Sequence, residues 1–181
     1  MKDRLLPPDN TPWYAIRLFS IRYKQVAEWM EGQGIETFVP MHYVDTEVGN
    51  GVKRTLKPVV SNLIFVKKVM SENEMRRLVY EAPYKMMVYR RNTTDRAFCE
   101  ISAREMHEFR LMCNPEIELR KYVSEAEAQM KPGAPVLVKY GPLKGLTGRL
   151  VRSDKKYYLL KEVPGIGVML KVSRWCCIPL E

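Results

Sequence analysis

The 181-residue sequence predicts an α+β protein: an N-terminal antiparallel sheet with helices on one face, followed by a small C-terminal β-barrel. Three observations predict this. Residues 13–114 alternate in the order strand, helix, hairpin, helix, strand, helix. Two of those helices open on a Ser-x-x-Glu capping box. Residues 132–181 hold only short apolar runs separated by glycine and proline.

Residues 13–19, Trp-Tyr-Ala-Ile-Arg-Leu-Phe, read as the first strand. Side chains alternate faces along a strand, so Tyr14, Ile16 and Leu18 share one face, and Trp13, Ala15, Arg17 and Phe19 the other. Ser20 offers an N-cap. Tyr23, Val26, Ala27 and Met30 then follow at helical spacing, and Gly32 and Gly34 stop the helix. A second strand is predicted over 36–48. Gly49-Asn50-Gly51 makes the hairpin turn, because these residues accept positive φ cheaply. The return strand runs from Val52 past Pro58 into Leu63-Ile64-Phe65-Val66. Ser71 with Glu74, and Ser102 with Glu105, open the next two helices. Met70 with Met75, and Ile101 with Met106, have hydrophobic-staple spacing. Residues 85–90 form a strand between them.

With Ile64 and Val66 facing the helices, Leu63 and Phe65 must point the other way, beside Trp13 and Phe19. That face is predicted to be an uncovered apolar patch, the mark of a partner site, unless a loop or the C-terminal unit lies on it. The predicted organisation is a flexible N-terminus (1–12), a first unit (13–114), a polar linker with some helix (115–131) and a last unit (132–181).

The net charge is +9, from 30 Lys and Arg against 21 Asp and Glu. Residues 132–181 hold nine of the basic and three of the acidic side chains, hence +6. Such a field attracts polyanions, nucleic acid or acidic protein. No apolar run is long enough to span a membrane, and the first residues lack the core of a signal peptide, so a cytoplasmic protein is expected. The cysteines (99, 113, 176 and 177) include no Cys-x-x-Cys pair, and only His42 and His107 could join them. Reduced thiols, no metal site and no cofactor are expected. Glycine-rich phosphate loops and the Gly-x-Ser-x-Gly elbow are absent from the sequence. Cys113 and His107 sit six residues apart on one helix, on different sides. An enzyme is not expected.

Two segments resemble the NusG family of transcription elongation factors, in the family's order. Trp13-Tyr14, the helix after it and Leu63-Ile64-Phe65-Val66 resemble the NusG N-terminal domain. Val136-Leu-Val-Lys-Tyr-Gly-Pro-Leu-Lys-Gly-Leu-Thr-Gly-Arg-Leu resembles a KOW motif. The resemblance implies a factor that docks on the clamp helices of RNA polymerase through an apolar depression. Leu63 and Phe65 would line it, with Trp13, Arg17 and Phe19 nearby. It implies contact with upstream or non-template DNA, for which Arg22, Lys24, Lys53 and Arg54 are candidates. It implies a second partner for the KOW barrel, Rho or a ribosomal protein, at Tyr140, Gly141, Pro142 and Leu143.

The sequence departs from the family at two places. Leu63 stands where many members have a tyrosine, and Arg17 where some have an aromatic residue. In this the chain most resembles specialised antitermination regulators of capsular or surface polysaccharide operons in the Bacteroides group. A KOW-type RNA-binding protein associated with translation is the alternative, supported by the +6 of the last unit.

Overall fold

A computed structural model describes residues 5–181; residues 1–4 of the expected flexible N-terminus lie outside them. The chain divides into two compact units. One comprises residues 11–100 with 114–116, and the other residues 101–113 and 117–181 together with residues 5–10.

The first unit contains β1 (Trp13–Leu18), α1 (Tyr23–Gly32), β2 (Thr37–Phe38), β3 (Met41–Val48), β4 (Gly51–Pro58), β5 (Leu63–Lys67), α2 (Glu72–Glu81) and β6 (Met86–Val88). Four strands form an antiparallel sheet in the order β2-β5-β1-β6. Tyr14, Ile16, Leu18, Ile64, Val66, Met86 and Val88 pack on its helical side with Val26 and Met30 of α1 and Met75 of α2. This is the face that the period-two reading assigned to the helices.

Local chemistry sets the boundaries. Ser20 does not cap α1: Arg22 holds the cap position, and Ser20 Oγ instead accepts a hydrogen bond from Arg22 N at 3.4 Å. The single strand expected over 36–48 breaks at Pro40, which has no N–H to give a ladder. β3 and β4 consequently leave the main sheet and pair only with each other, from Met41↔Pro58 to Val48↔Gly51. The capping box of α2 is complete. Ser71 Oγ accepts from Glu74 N at 3.2 Å, and Glu74 Oε2 accepts from Ser71 N at 2.8 Å. Hydrogen bonding from the Ser71 amide, and then from its hydroxyl, holds the Glu74 carboxyl below its ordinary pKa.

The second unit contains α3 (Ala103–Met112), β7 (Arg120–Ser124), α4 (Glu125–Met130), β8 (Gly133–Val138), β9 (Thr147–Ser153), β10 (Lys156–Val163), β11 (Ile166–Lys171) and β12 (Cys177–Pro179), with a 3-10 turn over Arg174–Cys176. Its strands form one antiparallel sheet in the order β12-β8-β9-β10-β11-β7. The expected closed barrel does not form. β7 occupies the edge of β11, so the sheet ends at β12 on one side and β7 on the other. The stretch 115–131, expected to be a linker, supplies that strand and then α4. The helix starts on a complete capping box between Ser124 and Glu127.

The helix expected to complete the first unit belongs to the second. α3 packs on β10 and β11, and Met106, Phe109 and Met112 of α3 are fully buried. Glu108 explains the attachment. Its carboxylate is buried and accepts from Lys161 Nζ of β10 at 2.9 Å, from Thr147 Oγ1 of β9 at 2.9 Å and from Thr147 N at 3.2 Å. Lys161 Nζ also donates to Thr147 Oγ1 at 3.0 Å. Removing one member of such a pair leaves a bare charge in a low-dielectric site. Glu108→Ala is therefore expected to destabilise the second unit by about 3–5 kcal/mol. The double variant Glu108→Leu, Lys161→Met is expected to recover most of that loss, as read by urea unfolding.

Candidate functional site

The second face of the four-stranded sheet carries the predicted partner-binding residues. β1 and β5 are its inner strands, in antiparallel register Trp13↔Lys67, Ala15↔Phe65 and Arg17↔Leu63. β2 adds Phe38 opposite Phe65, and β6 adds Met87 opposite Arg17. Two rows result across the face: Phe38, Phe65 and Ala15, and beside it Leu63, Arg17 and Met87. The structure thus brings together four of the five predicted residues, Trp13, Arg17, Leu63 and Phe65, on one surface. Phe19, just past the end of β1, adjoins Arg17, whose guanidinium carbon lies 5.9 Å from its ring centre.

Exposure divides these residues. Leu63 and Phe65 are 2% and 0% exposed, and Trp13 is also buried. The expectation of an open apolar patch at Leu63 and Phe65 is therefore corrected. Both side chains are covered on the face that the period-two reading left open, and the Phe38 ring lies 6.3 Å from that of Phe65. The accessible part of the face is its Arg17 end. Arg17 and Met87 are exposed, and Phe19 is 52% exposed. Lys85 Nζ lies 5.3 Å from the Phe19 ring, so that ring carries a cation on two approaches.

The predicted nucleic-acid residues separate into two places. Arg22 and Lys24 are exposed at the start of α1; Lys53 and Arg54 are exposed on β4. β4 pairs with β3 alone, so no ladder connects the two pairs. Arg54 lies 4.1 Å over the Tyr43 ring, and Tyr43 donates its hydroxyl proton to Glu116 at 2.9 Å. That hydrogen bond to a carboxylate pushes the Tyr43 hydroxyl above its ordinary pKa. Arg54 thus stacks on an aromatic ring, whereas Lys53 stands opposite Thr46.

In the second unit Tyr140, Gly141 and Pro142 are exposed and Leu143 is half-buried. The loop is shaped by Gly141 and Gly145, whose φ angles of +88° and +94° disfavour residues with a Cβ. Gly145 N donates to Val138 O at 2.8 Å, closing the loop on the end of β8. Lys139 N donates to Cys176 O at 2.7 Å, which ties the other end to the 3-10 turn. The Trp175 ring is thereby stacked on Tyr140, with centroids 6.3 Å apart and planes at 29°. Sequence reasoning missed Trp175. Its signal was a tryptophan beside Arg174 in a segment with no apolar alternation.

Cys113 is buried, and loss of solvation pushes its thiol up to about 12. It is an inert core group rather than a nucleophile. Among the described residues, no three His, Cys, Asp or Glu side chains gather as a metal site requires. No helix among them is long and apolar enough to cross a membrane.

Residues 11–110 match the family described as transcription termination factor nusG. No curated protein matches the chain.

The division of exposure sets two expected outcomes. Phe65→Ala should destabilise the first unit by about 3–5 kcal/mol, whereas Phe19→Ala should fall within about 0.5 kcal/mol of the parent, in denaturant unfolding. Thiol titration of the native protein should leave Cys113 unmodified until denaturant is added.

Proposed function

The chain belongs to the NusG family, and from that premise we propose that it is a transcription elongation and antitermination regulator that rides on RNA polymerase. The observation that carries this reading is the family match over residues 11–110, which spans all strands of the four-stranded sheet. The docking surface is the exposed Arg17 end of that sheet's second face, against the clamp helices. Arg17, Phe19 and Met87 make the accessible contacts, and Leu63, Phe65 and Trp13 form the apolar body behind them. An exposed aromatic ring flanked by Arg17 and Lys85 suits a helical partner with both apolar and acidic side chains.

The action is mechanical rather than catalytic. A protein that binds the closed, processive form of the polymerase better than the paused form shifts the equilibrium toward it. A difference of about 1.4 kcal/mol changes that equilibrium tenfold. The β3–β4 ribbon supports a second contact. It is two strands of eight residues, mostly exposed, with Lys53, Arg54 and Lys57 along β4. Those charges suit upstream or non-template DNA, with Arg22 and Lys24 as further candidates. Leu63, where many family members carry a tyrosine, and Arg17, where some carry an aromatic residue, support a specialised paralogue, of the kind that serves surface polysaccharide operons.

The test is binding of the full chain to core RNA polymerase, followed by readthrough of a terminator in a purified transcription reaction. Arg17→Glu with Phe19→Glu should weaken polymerase binding by at least tenfold and remove readthrough, because both residues are exposed and the fold should survive. Wild-type affinity in that variant would overturn the assigned surface. Lys53→Glu should leave polymerase affinity within about twofold and reduce the salt sensitivity of DNA contact.

A further inference from the structure

We propose that Tyr140 and Trp175 form a stacking platform for single-stranded RNA, with Lys139 and Arg174 as its phosphate contacts. Three observations meet at this place. The first is exposure. Trp175 is 75% exposed and Tyr140 50% exposed, although each could bury a large apolar area. The second is order. The Lys139 N to Cys176 O bond and the β8–β12 ladder, Cys177↔Val138 to Pro179↔Val136, fix both backbones, so the two rings are held in a stack. The third is charge. Lys139 Nζ lies 5.7 Å from the Tyr140 ring centre, and Arg174 and Arg152 flank the Tyr157 ring at 5.9 and 5.8 Å. Lys144 and Lys171 are also exposed, and neither the loop 139–145 nor the segment 171–178 contains an Asp or Glu.

Aromatic rings held open among cations have the chemistry of a strand-binding groove. Unpaired bases stack on the rings, while the backbone phosphates meet Lys and Arg. A duplex offers no free base faces to such rings. An acidic polypeptide would satisfy the charge but leave the stacked rings without a matching flat partner. The choice of RNA rests on the transcription reading, since a transcribing polymerase releases RNA as a continuous single strand. The platform chemistry itself does not depend on contact with polymerase.

The experiment is fluorescence anisotropy of the full chain with a labelled oligouridine of about 12 nucleotides, without polymerase. Binding should weaken as salt rises. Trp175→Ala and Tyr140→Ala should each lose roughly 5- to 150-fold in affinity. Trp175→Phe should retain most of it, which separates stacking from loss of fold. Lys139→Gln should lower the slope of log affinity against log salt by about 0.7. Three results would overturn the proposal: no binding of oligouridine by the wild-type chain, equal affinity for duplex RNA or poly-glutamate, or Trp175→Ala binding as tightly as the parent. Because polymerase is absent from the tube, failure here leaves the polymerase test standing, and the reverse also holds.

Discussion

A carboxylate with no access to water has to be paired, and Glu108 is such a group. Its partners come from β9 and β10: the Lys161 ammonium at 2.9 Å and both the hydroxyl and amide of Thr147. This requirement commits α3 to the C-terminal sheet. Apolar packing of Met106, Phe109 and Met112 supplies the bulk of the attachment, at about 1.5–3 kcal/mol for each fully buried side chain. That force has little direction. The ion pair selects which face of α3 points inward and in which register. The chain passes between its two units at residues 11, 101, 114 and 117, not at one linker.

The elements whose signals are local were legible in the sequence. The alternation gave Trp13–Leu18 and the helix-facing sides of both inner strands, but the return strand expected to run from Val52 past Pro58 into Val66 breaks over residues 59–62 into β4 and β5, which join different sheets. The Ser71 and Ser102 caps fixed the starts of two helices within a residue. What escaped depends on contacts distant in sequence. Arg120–Ser124 has no strong alternation and becomes a strand only because β11 offers it an edge. Ownership of α3 required knowing that Glu108 would meet Lys161, 53 residues away. The closed barrel failed for the same reason, because the edge of β11 was already taken.

The candidate surfaces follow the same division. Period two correctly placed Leu63 and Phe65 on the face opposite the helices. Their burial depends on what surrounds the inner strands, which no local pattern reports. Tyr140 was readable because glycine and proline mark its loop. Trp175 was not, since its importance comes from the Lys139 to Cys176 hydrogen bond that brings a distant turn beside it. The sequence offers only a tryptophan next to arginine, outside every alternating run.

The two units thus offer different chemistries. The sheet face presents a mixed apolar and cationic edge at Arg17 and Phe19. The C-terminal unit presents stacked rings and lysines in an acid-free segment. Amide hydrogen exchange of the full chain, with and without core RNA polymerase, separates them most directly. The account predicts that polymerase slows exchange at residues 17–22 and 85–88, and leaves 139–145 and 174–178 unchanged when no RNA is present. Protection confined to the C-terminal segments would contradict it, because the polymerase would then be bound by the wrong unit.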